Sequence, residues 1–219
     1  MRINADFAVK AVVVPQDSDW VCSPESGVDR LMLDRIGGEV ARATSIVRYA
    51  PGSSFPRHKH DAGEEFLVLD GVFSDEHADY TVGTYVRNPP GSGHSPHSES
   101  GCRILVKLRQ FDPRDLSHVV VDASLSTAWL SVSGTAANVL ELHEFGSERV
   151  VMIRLAEGEP FPIAADPGGI EILVISGSIN DEGTELAPES WLRFPASQEN
   201  WLVASSDSVL WVKMGHLPS

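Results

Sequence analysis

An all-β fold is predicted by three features of the sequence. Apolar residues fall in short runs, turn residues bound most of those runs, and few stretches show a helical period. In order along the chain the runs are KAVVVP, ARATSIVRYA, EFLVLDG, YTVGTYVRN, CRILVKLRQF, SHVVVD, NVLELHEF, RVVMIRLA, IEILVISG, ESWLRF and SVLWVKM. Each is about the length of a strand and rich in Val, Ile, Leu, Tyr or Trp. The 14 prolines and 18 glycines are scattered between the runs rather than clustered, which suits a barrel or sandwich of many short strands. The 219 residues are 42% hydrophobic, enough for one large core or two of about half the size.

An internal repeat favours two. Shifted forward by 106 positions, VRYAPG (47–52) falls on IRLAEG (153–158) and EEFLVLDG (64–71) on IEILVISG (170–177). At the same shift TYVRNPP (84–90) falls on SWLRFPA (190–196) and RILVKL (103–108) on VLWVKM (209–214), with no gap. The boundary is expected near FDPRDLSH, giving domains 1–111 and 112–219. Two similar barrels in one chain are expected to pack as a pseudo-dimer that imitates a twofold homodimer.

The chemistry is concentrated in GSSFPRHKHDAGEEFLVLDG, residues 52–71. Residues i and i+2 of a strand face the same side, so His58 and His60 project together, about 6–7 Å apart. Asp61, Ala62 and Gly63 form a turn that lets Glu64 return on the next strand toward the same point. Glu64, Phe66 and Val68 then share one face; Glu65, Leu67 and Leu69 share the other. Three ligands from one hairpin leave a metal exposed. The segment GTYVRNPPGSGHSPHS, residues 83–98, supplies a fourth, His94, on a loop shaped by Pro89, Pro90, Gly91 and Gly93.

Those two segments fit the paired motifs of a known superfamily. The first matches G-x5-H-x-H-x3-E-x6-G at Gly52, His58, His60, Glu64 and Gly71, and the second matches G-x5-P-x-G-x2-H at Gly83, Pro89, Gly91 and His94. Together they resemble the two cupin motifs, with Ser98 where a closing Asn is usual. The wording HKHDAGEEFLVLDGVFSDEHADYTVGTYVRNPPGSGHSPHSESGC is similar to the cupin-like domain of the ChrR anti-sigma factors. The resemblance covers residues 1–110 well and the second repeat more faintly. It implies a bicupin of two tandem double-stranded β-helix (jelly-roll) barrels. It also implies a metal held by His58, His60, Glu64 and His94, zinc in the ChrR case. Related cupins with similar ligands hold Fe(II) and cleave small diketones or hydroxyacetophenones with oxygen. ChrR grips its sigma factor through an N-terminal HxxxCxxC zinc segment; no such pattern occurs here, so sigma-factor binding is not carried over.

The second repeat places Ala164, Asp166, Ile170 and Asn200 at the four ligand positions. Ala and Ile cannot ligate, so one divalent ion per chain is expected: zinc first, with iron, manganese or nickel compatible with the same donors. Among the other residues, Glu65 is expected to partner groups on the opposite strand face, Tyr85 to pack in the core and Arg87 to be a surface charge. Cys102 reads as a buried thiol and His97 as an exposed loop histidine; His77, His118, His143 and His216 lack ligand spacing. Arg48, Phe55 and Phe66 are candidates to line a pocket beside the metal.

Composition excludes several classes. A net charge of −14 argues against nucleic acid, no apolar run is long enough for a membrane span, and MRINADFAVK is no signal peptide. Two distant cysteines, Cys22 and Cys102, without CxxC spacing, suit a reducing cytoplasm. The expected function is a metal-binding bicupin of regulatory or sensory type that answers a stress or small molecule. The alternative is an Fe(II)-dependent non-haem dioxygenase acting on a small diketone or hydroxyketone. A small-molecule ligand fits both, and leftover strand edges allow a homo-oligomer.

Overall fold

A computed structural model describes residues 1–38 and 40–218. These form 24 strands and one three-residue 3-10 turn, Asp17–Asp19. Among the described residues no helix is long and apolar enough to cross a membrane. The chain divides into two compact units, Met1–Ala5 with Gln16–Ser126, and Asp6–Pro15 with Thr127–Ser219.

The main sheet of the first unit runs Arg2–Ile3, Val28–Gly37, Ala41–Tyr49, Cys102–Leu108, Glu64–Ser74, Thr84–Asn88, Val119–Asp122. That of the second runs Leu130–Ser131, Asn138–Phe145, Glu148–Leu155, Ser208–Met214, Ile170–Ser176, Trp191–Phe194, Ala11–Val13. The orders correspond strand for strand, and the registers do too. Leu69 is skipped in the pairing of Glu64–Ser74 with Cys102–Leu108. Ile175, 106 residues on, is skipped in the equivalent ladder. Two bulges at one repeat offset mark one fold built twice. The edge strands exchange halves: Ala11 lies opposite Arg193, and Val119 opposite Arg87.

Each central strand is buried on both faces, which explains the nearly continuous apolar runs. The inward face of the first barrel packs Val28, Val47, Phe66, Phe73, Val86 and Ile104 into one core. The second barrel is filled by Ile163, Ile170, Ile172, Phe194, Leu202 and Leu210.

The opposite face carries charge under cover. Arg87 is fully buried, so the expectation of a surface charge is corrected. Its Nε and Nη2 donate to Asp115 Oδ2 at 3.0 and 2.8 Å, and its Nη1 to Glu65 Oε2 at 3.1 Å. The Tyr85 hydroxyl donates to the same Glu65 oxygen at 2.5 Å, and the Phe111 ring lies 3.8 Å from the guanidinium. Glu65 therefore has its partners away from the ligand face, as its strand parity implied. The second unit repeats the theme: Trp191 Nε1 donates to Glu171 at 2.9 Å, and Arg193 Nη2 to the Asp6 carbonyl at 2.8 Å. A buried ion pair is only as good as its hydrogen bonds, and removing one partner leaves the other charge stranded. Arg87→Met should therefore lower the unfolding free energy of the first unit by about 3–5 kcal/mol in urea titrations. A loss below about 1 kcal/mol would show that the fold does not rely on this network.

Candidate metal centre

The site is assembled by two strands of three residues each. His58–His60 pairs antiparallel with Ser92–His94, so that His94 lies opposite His58 and Ser92 opposite His60. Gly93 is forced by this approach, because a Cβ there would come 2.4 Å from the His58 carbonyl oxygen. After His60 the chain turns at Gly63, whose φ of +80° favours glycine and whose N–H donates to the His60 carbonyl at 3.2 Å. Glu64 then opens the next long strand.

The four predicted residues converge. One donor atom from each of His58, His60, Glu64 and His94 lies within 4.8 Å of all the others. The imidazole centroids are 5.1, 5.1 and 4.7 Å apart, and Glu64 Oε1 is 3.4 Å from Nε2 of both His60 and His94. Metal–donor bonds of about 2.1 Å put neighbouring donors about 3–3.5 Å apart, close to this spacing.

The outer nitrogens fix which lone pairs point inward. His58 Nδ1 meets the Pro56 carbonyl at 3.0 Å and His94 Nδ1 meets Asp75 Oδ2 at 3.0 Å. Both partners are acceptors, so both Nδ1 atoms carry the proton. His60 Nδ1 meets Ser92 Oγ at 3.1 Å, and that hydroxyl spends its proton on the Pro89 carbonyl at 2.6 Å. His60 therefore also donates through Nδ1. All three Nε2 atoms are left as bases facing Glu64, and buried His60 Nε2 has no hydrogen-bond partner. An unsatisfied buried nitrogen between two imidazoles and a carboxylate suits a bound cation. The residues present fit a divalent ion.

Electrostatics agree. Burial lowers the His60 pKa, against the pull of Glu64. Burial also pushes His94 down, but hydrogen bonding to Asp75 and the Glu64 charge outweigh it, and the pKa is raised. Burial alone would lift the Asp75 carboxyl, yet hydrogen bonds from His94 and from the His77 and Ala78 amides hold it at about 2. Asp75 is thus an anion throughout the neutral range, as a histidine-orienting carboxylate must be.

A cavity of about 490 Å³ opens onto the four donors, within the usual range for small-molecule sites. Its apolar wall is Val47, Tyr49, Phe55, Phe73, Ile104 and Val106. Of the pocket candidates, Phe55 lines it and Phe66 packs in the core. Arg48 lies elsewhere, half exposed, 2.8 Å from Asp29 and stacked on Trp20. His97 is half-buried on a short strand pairing with Ser54 and Ser74. His77 donates its backbone amide to Asp75, His118 is exposed, and His143 is buried. His216 contacts Glu171. Cys102 is buried, Cys22 is exposed, and both are free thiols.

The sequence reading missed Asp75 and Ser92. The repeat held the signal for Asp75, since Asp75-Glu76 recurs as Asp181-Glu182 at the same offset. In the second barrel Asp181 accepts from Asn200 Nδ2 at 2.9 Å, the position equivalent to His94, and meets the Lys10 ammonium at 2.7 Å. The supporting carboxylate survives there beside an ammonium. Ile170 packs in the core, and Asp166 Oδ1 caps its own turn at the Gly168 amide, 2.7 Å away.

A family model described as the ChrR cupin-like domain matches residues 8–112 and again 117–218. No curated protein matches the chain. Among solved structures, a Nostoc punctiforme protein provisionally described as a dioxygenase superposes with a TM-score of 0.73 at 14% identity, covering 95% of this chain and 80% of that one. The Escherichia coli pirin YhhW, solved with nickel(II), gives 0.67 at 14% identity over 94% of this chain and all of its own. Bacillus subtilis oxalate decarboxylase, with Mn(II) centres, gives 0.61 at 11% identity over 95% and 78%. At these identities the likeness shows the fold alone.

His60→Ala should abolish stoichiometric metal while Asp166→Ala leaves it intact, as read by elemental analysis. Asp75→Asn should weaken metal affinity about 10–100-fold in chelator competition. Equal metal loss in His60→Ala and Asp166→Ala would refute a single site in the first barrel.

Proposed function

The chain belongs to the ChrR cupin-like domain family, and from that premise we propose that its first barrel is a working divalent-metal centre that takes a small oxygenated organic molecule. The observation that carries this is the cavity beside the four converging donors. A structural ion is closed off by its ligands, whereas a working one keeps open positions facing a space of ligand size. Nickel(II) in the pirin and Mn(II) in the decarboxylase support the choice of a divalent ion for barrels of this kind.

We favour an oxygen-dependent cleavage of a small diketone or hydroxyketone. Bound Fe(II) would supply Lewis acidity toward a chelating pair of oxygens and access to dioxygen. The protein does the rest. Three imidazoles oriented by their Nδ1 partners, with one carboxylate, would leave a divalent ion net positive, which favours an enolate over its ketone. The apolar wall receives the hydrocarbon part and keeps out water, which strengthens every charge interaction inside.

The family match favours a second reading, a sensory site in which the small molecule or an oxidant is a signal rather than a substrate. Zinc would suit that role, since it has no redox chemistry. Free Cys22 and Cys102 agree with a reducing compartment such as the cytoplasm for either reading.

Elemental analysis of protein purified without added metal should give one divalent ion per chain. Fe(II)-loaded protein should then consume oxygen with a chelating diketone or hydroxyketone in an oxygen electrode. Stoichiometric zinc with no uptake across such a panel would reject catalysis and leave the sensory role.

A further inference from the structure

The cavity has the wrong charge for this protein. The chain carries 31 acidic against 17 basic residues, yet five cationic side chains line the cavity, Arg30, Arg35, Arg57, Lys59 and Arg109, against three acidic ones. Several of the cations serve the rim: Arg57 meets Glu76 at 2.6 Å, Arg109 lies 4.0 Å from Asp61, and Arg35 donates to the Gly38 carbonyl. Arg30 is different. It shares a strand face with Val28, a core residue only 1% exposed, and sits opposite Val47, which belongs to both core and cavity wall. Its side chain therefore runs along the inward face, half-buried. Its guanidinium carbon is 5.7 Å from the Phe55 ring, and that ring is 6.0 Å from His58. Tyr49 and Ser45, two hydroxyl-bearing residues, line the same cavity.

The second barrel is an internal control. By ladder register Arg30, opposite Val47, corresponds to Val139, opposite Ile153. Ser45 and Tyr49 correspond to Val151 and Leu155, both core residues. The barrel that lacks the ligands thus has valine, valine and leucine where the barrel that has them places arginine, serine and tyrosine. The fold therefore does not need a cation or hydroxyls on this wall.

We propose that this wall is a carboxylate subsite: the ligand is a small monocarboxylate with an apolar body, its acid group held by Arg30 with help from the Tyr49 and Ser45 hydroxyls, its far oxygen presented to the metal. This deepens the metal-centre reading and rests on it for the far end only. Arginine suits the task because its planar fork matches a carboxylate in two parallel hydrogen bonds. Phe55, between Arg30 and His58, provides the apolar surface along which the body lies.

The test uses 4-acetylbenzoate, which carries an acid at one end and a ketone at the other, against neutral 4-methylacetophenone. Calorimetric titration of zinc-loaded protein should show the acid binding at least about tenfold more tightly. Arg30→Gln should erase that preference while holding the neutral ketone within about threefold, and Arg30→Lys should retain part of it. Arg48→Gln, outside the cavity, should keep it whole. Metal content should be unchanged in all three. A preference that survives Arg30→Gln, or wild-type protein that shows no preference or binds neither probe, overturns the proposal. So does metal loss in Arg30→Gln, which would make Arg30 structural. Protein that binds no metal yet still prefers the acid would sink the metal reading and leave the carboxylate subsite standing.

Discussion

The candidate site hangs on one short antiparallel pairing. Three residues of one segment and three of another, brought together from more than thirty positions apart, place three imidazoles on a common centre. Neither segment is stable alone, since a two-stranded ribbon of this length is marginal in water. Each is held because it leads into something better anchored: Gly63 turns the first into a long core strand, and the second continues to His97–Ser98, whose Ser98 hydroxyl donates to the Val72 carbonyl at 2.6 Å. The barrel supplies rigidity and the short strands supply chemistry.

Bringing three histidines and a glutamate together in a mostly buried place opposes folding unless their polar atoms are satisfied. The protein satisfies one side only. Every Nδ1 has an acceptor, and those acceptors are themselves fixed: Asp75 by two backbone amides, Ser92 by its bond to the Pro89 carbonyl, and Pro56 by having no freedom at φ. The inner side is left as lone pairs facing a carboxylate. Apolar packing cannot explain such asymmetry, whereas a cation explains it directly. The same one-sided pattern sets the proton positions, so the donor set is organised before any ion arrives.

Much of this was legible in the sequence, for identifiable reasons. His58, His60 and Glu64 could be assigned to one point because strand parity and a glycine turn leave little choice, and His94 followed from the proline- and glycine-rich turn that leads into its short strand. The repeat was legible because equal strands under equal constraints kept equal spacing, down to the bulges at Leu69 and Ile175. Arg87 was misread because charge in a strand usually means solvent. Its burial depends on Asp115, which arrives from a loop 28 residues later and which no local pattern connects to it. Asp75 was missed for a similar reason: a turn aspartate looks like any other until the histidine it supports is placed in space. Local periodicity reveals which face a residue takes and stays silent on what that face meets.

Comparison of the two barrels separates what the fold demands from what the site demands. Strand order, bulges and the buried ionic face recur in both, so they belong to the architecture. The ligands, the Arg30 cation and the hydroxyls beside it occur in one. In the other, Val139, Val151 and Leu155 stand for the arginine and the two hydroxyls and Ala164 and Ile170 for two of the ligands, and Asp181, keeping its hydrogen bond to Asn200 at the His94 position, is neutralised by Lys10. A carboxylate that keeps its place after its histidine is gone still needs a positive partner nearby, and an ammonium provides one. The second barrel therefore gains a fuller apolar interior at the loss of chemistry. The first keeps polar groups on its inner wall that its own fold could do without, and it is in that difference that function is written.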